Sequence, residues 1–158
     1  MATKYSDKAE PHYMRAVRYE GEGRTLDAIR EYRMANRIKK DLIPARKRLG
    51  DLLILLGKTD EAIAQYLKAT EITSQKRKWH RTFVPDEDKY SLVQVLSALA
   101  EAYQVAGQPH EAVETWKRLV GTAPLQPGDQ ELITMAQEQL KRHLPGPDGV
   151  MEHAPLRD

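Results

Sequence analysis

Three turns of this chain share one spacing, and that spacing leaves few ways to fold. Gly23, Gly57 and Gly107 each stand five residues before an alanine: Ala28, Ala62 and Ala112. Four residues after each alanine comes a large ring, Tyr32, Tyr66 or Trp116, and three after that Ala35, Ala69 or Leu119. Residues three and four apart share a helix face, and glycine takes the left-handed conformation that ends a helix without steric penalty. Each block therefore reads as a helix, a glycine turn and a second helix. From Ala28 to Ala62 is 34 residues; from Ala62 to Ala112 is 50, the same period with 16 inserted. The fullest copy is residues 49–69, LGDLLILLGKTDEAIAQYLKA. There Leu49, Leu53, Tyr66 and Leu67 supply apolar faces at helical spacing. Asp60 and Glu61 fall in the first turn of the second helix, where negative charge is favoured.

A helix–turn–helix period of 34 residues resembles the tetratricopeptide repeat. The second copy carries Leu49-Gly50, Leu53, Gly57, Ala62, Tyr66 and Ala69; the third Leu99-Ala100, Tyr103, Gly107, Ala112, Trp116 and a closing Pro124. The first has Ala16, Tyr19, Gly23, Ala28, Tyr32 and Ala35, but Arg15 stands where the family prefers leucine and no proline ends it. The resemblance implies an all-α fold, a right-handed superhelical stack of antiparallel helical hairpins with about seven helices. Repeats are expected at about 8–41, 42–74 and 93–124, with an insertion at about 75–90 and a capping helix at 129–143. Together they make one domain, 7–144, between a short lead, 1–6, and an irregular Pro/Gly-containing tail, 145–158.

Read in order, the first helix is expected from near Glu10, with Pro11 in its tolerant first turn. Thr25 is a candidate cap for the second, which runs to about Lys39 and carries Arg30, Arg33 and Arg37 outward. Pro44 to Leu56 and Thr59 to Ile72 follow, the latter with room for another turn. An acidic run suggests that the fifth helix begins early, near Asp86, and ends about Ala106. Pro109 to Val120 and Asp129 to His143 complete the set, the last with Leu132, Met135, Ala136 and Leu140 on one face.

Composition closes off several functions. There is no cysteine, which excludes disulfides, thiolate zinc sites and thiol catalysis. The longest apolar run, Leu52 to Leu56, is far short of the roughly 20 residues that span a bilayer, and the N-terminus has no signal-peptide pattern. A cytoplasmic protein without a membrane span is the expectation. The five histidines fit no metal-ligand spacing, GEGRTLD at 21–27 lacks the lysine of a phosphate loop, and no nucleophile–base set is visible. No catalytic residue, metal or cofactor is assigned, and the chain is read as a non-enzyme. The net charge of +2 hides a polarity: residues 1–82 hold 19 Lys/Arg and 11 Asp/Glu, a net of +8, and residues 83–158 hold 6 and 12, a net of −6. Such a split allows self-association or steering of a charged partner.

Two surfaces are candidates for binding a protein segment. The resemblance places the first helix of each repeat on the concave face. That nominates Tyr13, Val17 and Glu20, then Lys47, Asp51 and Ile54, then Ser97, Glu101 and Gln104. The family's best-known pocket clamps a C-terminal carboxylate with lysine, arginine and asparagine. Here the one asparagine, Asn36, lies on a second helix, and Asp51 and Glu101 would repel a carboxylate. The second surface is the insertion, where Lys76, Arg77, Lys78 and Arg81 are mixed with Trp79 and Phe83. That mixture suits a protein anchor or a nucleic-acid contact. The functional expectation is an adaptor or accessory subunit of a larger assembly; a nucleic-acid-associated or regulatory protein is the alternative.

Overall fold

The computed structural model describes residues 6–75 and 90–144. They form seven α-helices: α1 (Ser6–Gly21), α2 (Thr25–Ile38), α3 (Ile43–Leu55), α4 (Thr59–Gln75), α5 (Leu92–Val105), α6 (Pro109–Val120) and α7 (Asp129–His143). No strand occurs among the described residues. The first six pair as hairpins α1/α2, α3/α4 and α5/α6. Each hairpin packs on the next through α2 on α3 and α4 on α5, and α7 closes over α5 and α6.

The hairpin turns are built alike because the same residue demands it three times. Gly23, Gly57 and Gly107 have φ of 73°, 73° and 71°. Each N–H donates three residues back, to the carbonyls of Glu20, Ile54 and Gln104. The following N–H donates five back, to Tyr19, Leu53 and Tyr103. This is the paired bonding of a Schellman turn, which satisfies the last carbonyls of one helix. The residue after each glycine then starts the next helix: the carbonyls of Arg24, Lys58 and Gln108 accept from Ala28, Ala62 and Ala112. In the first turn, the Arg24 guanidinium also lies 4.2 Å over the Tyr19 ring.

The alanines of the repeat are fully buried, and so are the rings they admit. Ala28, Ala62 and Ala112 are 0% exposed, and Tyr32, Tyr66 and Trp116 no more than 4%. One core joins the first two hairpins and continues to Leu99 and Ala102 of α5. A second joins α5, α6 and α7 around Trp116 and Ile133. The helix opposite each ring offers a small residue: Ala16, Gly50 or Ala100. At Gly50 the approach is tight, since a Cβ there would sit 2.5 Å from the Tyr66 ring.

Some expected boundaries move. Helix α1 begins at Ser6, not near Glu10, so Pro11 lies inside it. Ala9, Tyr13 and Ala16 form one buried stripe, and burying Ala9 draws the preceding turn into the helix at the cost of a single missing N–H. Thr25 is the first helical residue; Arg24 occupies the cap position without a side-chain capping bond. Helix α4 runs to Gln75. Helix α5 starts at Leu92, after non-helical Tyr90 and Ser91, because Ser91 and Gln94 form a reciprocal capping box. Leu67 and Met135 are exposed, and Ile133 rather than Met135 enters the core of α7. The insertion residues Lys76, Arg77, Lys78, Trp79, Arg81 and Phe83, the lead 1–5 and the tail 145–158 lie outside the described residues.

A buried carboxylate anchors the capping helix. Asp129 is 0% exposed. One oxygen accepts the N–H groups of Leu125 and Gln126, each at 2.9 Å. The other accepts the Ser91 hydroxyl at 2.8 Å. The cap of α5 and the start of α7 are thus one polar unit, spanning 38 residues of sequence.

Candidate protein-binding groove

Helices α3 and α5 lean together and leave an open cleft of about 420 Å³ between them. From α3 it receives Lys47, Asp51 and Ile54, spaced four and three apart so that they share one face. From α5 it receives Gln94, Ser97, Ala98, Glu101, Ala102 and Val105. Tyr66 reaches it from α4, Tyr90 stands at its side and Leu132 of α7 completes it.

Its charges are arranged by the core beneath. Gly50 lets the Tyr66 ring lie against the α3 backbone, and the hydroxyl then donates to Asp51 Oδ1 at 2.5 Å. Burial pushes the Tyr66 phenol well above its ordinary value, and the carboxylates of Asp51 and Glu101 push it further; it remains a donor. Lys47 Nζ donates to Asp51 Oδ2 at 2.6 Å and sits 5.1 Å over the Tyr90 ring. Asp51 is therefore satisfied twice from within the chain. Glu101 is exposed and makes no ion pair among the described residues. The cleft offers an apolar strip from Ile54, Ala98, Ala102 and Val105, with a carboxylate beside it that no described cation pairs.

The expected groove residues thus separate into two groups. Lys47, Asp51, Ile54, Ser97 and Glu101 meet in this cleft. Tyr13 does not reach a groove: it is 2% exposed, its ring 5.8 Å from that of Tyr32. Val17 packs against the same core. Glu20 turns to the Tyr32 hydroxyl at 2.6 Å and to Arg48 at 3.2 Å. Gln104 is exposed, outside the cleft lining. The residues missed on α5, Gln94, Ala98 and Val105, were readable, since they share a helical stripe with the expected Glu101. Leu132 was not, because its place depends on how α7 docks. Among the described residues, no group of three or more His, Asp or Glu side chains could hold a metal ion, and no helix is long and apolar enough to cross a membrane.

Residues 46–76, the α3/α4 hairpin, match the tetratricopeptide repeat family. Three such hairpins share the turn, the buried alanine and the buried ring. The hairpins on either side of the matched segment thus repeat its architecture. The stack superposes on the N-terminal domain of stress-induced protein-1 (STI-1) from C. elegans with a TM-score of 0.67, covering 87% of this chain and 98% of that one at 16% identity. That likeness is one of fold. No curated protein matches the chain. Tetratricopeptide repeats serve protein–protein interaction in general, and the fold is typically a non-catalytic module.

Proposed function

We propose that the chain is a non-catalytic adaptor or accessory subunit of a larger assembly, and that it binds a segment of a partner protein in the cleft between α3 and α5. The observation that carries this reading is the pairing of an apolar strip with the exposed carboxylate of Glu101, which has no ion-pair partner among the described residues. Such a site favours a segment with an apolar side chain next to a lysine or arginine, and disfavours a terminal carboxylate. The cytoplasm is taken as the place of work, and cell fractionation tests that part separately.

The test is a tagged pull-down from the native host after nuclease treatment. Ile54→Asp with Glu101→Lys should lose a stoichiometric protein partner that the wild-type chain keeps. A variant with Lys76, Arg77, Lys78 and Arg81 changed to glutamate should keep it. Loss only from the second variant would move the function to the insertion. Recovery of partners only without nuclease would make nucleic-acid association the better reading.

A further inference from the structure

A second cleft, of about 350 Å³, lies on the other side of the stack. Leu53 of α3 and Leu56, which caps that helix, stand about half a helical turn away from Lys47, Asp51 and Ile54. The rest of its floor comes from Leu26, Ile29 and Met34 of α2. Leu26 is 70% exposed and Leu56 41%, so two large apolar side chains face water at one spot. The rim is cationic: Arg30, Arg33 and Arg37 of α2, with Lys58 from the hairpin turn.

On α2 these residues fall at 26, 29, 30, 33, 34 and 37, spacings of three and four that keep them on one stripe. The helix already buries a different stripe, Ala28, Tyr32 and Ala35, in the core. The outer stripe is thus a second amphipathic face, and no other described helix covers it. Its charges are only loosely held. Arg30 contacts Asp27 at 2.8 Å, and Arg33 contacts Glu61 at 2.9 Å, with both of the latter side chains half exposed. Lys58 shares Glu61 at 3.8 Å. Arg37 makes no ion pair among the described residues. Exposed pairs of this kind exchange readily for an incoming carboxylate.

We propose that this face docks an acidic amphipathic helix of a partner protein. Its apolar residues would seat on Leu26, Met34 and Leu56, and its Asp or Glu side chains on Arg33 and Arg37. The argument is charge complementarity: a rim of four cations and two acids around an apolar floor selects an apolar stripe flanked by carboxylates. The site is separate from the groove and does not depend on the groove reading.

The probe is a labelled synthetic helical peptide with leucine on one face and glutamate flanking it, titrated into the full chain and followed by fluorescence anisotropy. Comparators replace its glutamates by lysine, or its leucines by serine. Binding of the first peptide alone is expected, weakened about tenfold or more by Leu26→Asp and by Arg33→Glu with Arg37→Glu, and unchanged by Glu101→Lys. These positions are exposed, so thermal melts should confirm intact variants. Failure of the leucine–glutamate peptide to bind overturns the proposal. So does equal binding of the serine peptide, which would mean charge attraction alone, or equal binding by the variants. A sedimentation mass that rises with concentration for the wild type but not for the arginine variant would assign the face to a second copy instead. Binding of an oligonucleotide but not the peptide, lost in the same variant, would assign it to phosphates.

Discussion

Gly50 decides where the phenol of Tyr66 goes. In the first repeat the matching position is Ala16, and the Tyr32 hydroxyl reaches Glu20. In the second, glycine lets the ring drop onto the helix, and the hydroxyl reaches Asp51 in the cleft. Gly50→Ala forces a Cβ to within 2.5 Å of a buried ring. We expect it to cost about 1–3 kcal/mol by overpacking, while Tyr66→Ala costs about 3 kcal/mol or more by leaving a cavity. Denaturant unfolding measures both, and an unchanged midpoint for either would refute this packing. The small residues at 16, 50 and 100 were legible because they recur. The partner of each hydroxyl was not, because it turns on one methyl group. Arg15 shows the same limit. It departs from the family pattern, and in the fold it donates to Glu31 at 3.2 Å across α1 and α2, beside His12 Nδ1 at 2.6 Å. Burial alone would raise Glu31, but the His12 and Arg15 bonds outweigh it and hold the carboxyl below its ordinary 4.5. A depressed carboxylate stabilises the fold fully above its unfolded value, and that contribution is lost as pH falls through the folded value. The stability gap between wild type and Glu31→Gln should therefore narrow as pH falls below the ordinary 4.5. A gap that widened on acidification would reverse the sign.

Helices, rather than residues, were the most legible level. Helices α6 and α7 fall where the prolines, glycines and acidic first turns place them. The error at α5 is instructive. The acidic run near Asp86 suggested an N-terminus, but Ser91 and Gln94, three apart, carried the stronger signal. The bond from Ser91 to Asp129 had no local signature, since its halves are 38 residues apart. It joins the last hairpin to the capping helix at a single buried point. Asp129→Ala removes the partner of two loop N–H groups and strands the buried Ser91 hydroxyl, the latter at about 1–3 kcal/mol for a buried group left unsatisfied. In a stack where each element touches mainly its neighbours, that loss should stay local. Amide exchange is therefore expected to quicken across α7 and the start of α5, while α1 to α4 keep their protection. Uniform acceleration along the whole chain would show that the stack opens as one unit.

At the scale of the whole molecule, much of the charge polarity is absent from the helices. Residues 6–75 hold 14 Lys/Arg and 11 Asp/Glu, a net of +3, and residues 90–144 hold 4 and 6, a net of −2. The helical stack is nearly balanced, so its faces differ by local pattern rather than by global field. That is why charge counts along the sequence pointed to the insertion and said nothing of the cationic cleft on α2, while the groove between α3 and α5 was reached through the repeat pattern instead. Two faces on opposite sides of α3 make a prediction about independence. Leu26→Asp alters the cationic cleft and Glu101→Lys the groove, and both side chains are exposed. Each change should shift folding stability by no more than about 0.5 kcal/mol. Because the two positions share no partner among the described residues, their effects should add in the double variant within about 0.3–0.5 kcal/mol. Binding should separate in the same way, each substitution removing one ligand and sparing the other. A coupling energy well above that range, in stability or in either binding titration, would mean that α3 transmits between its two faces and that the stack is a relay rather than a pair of independent docking surfaces.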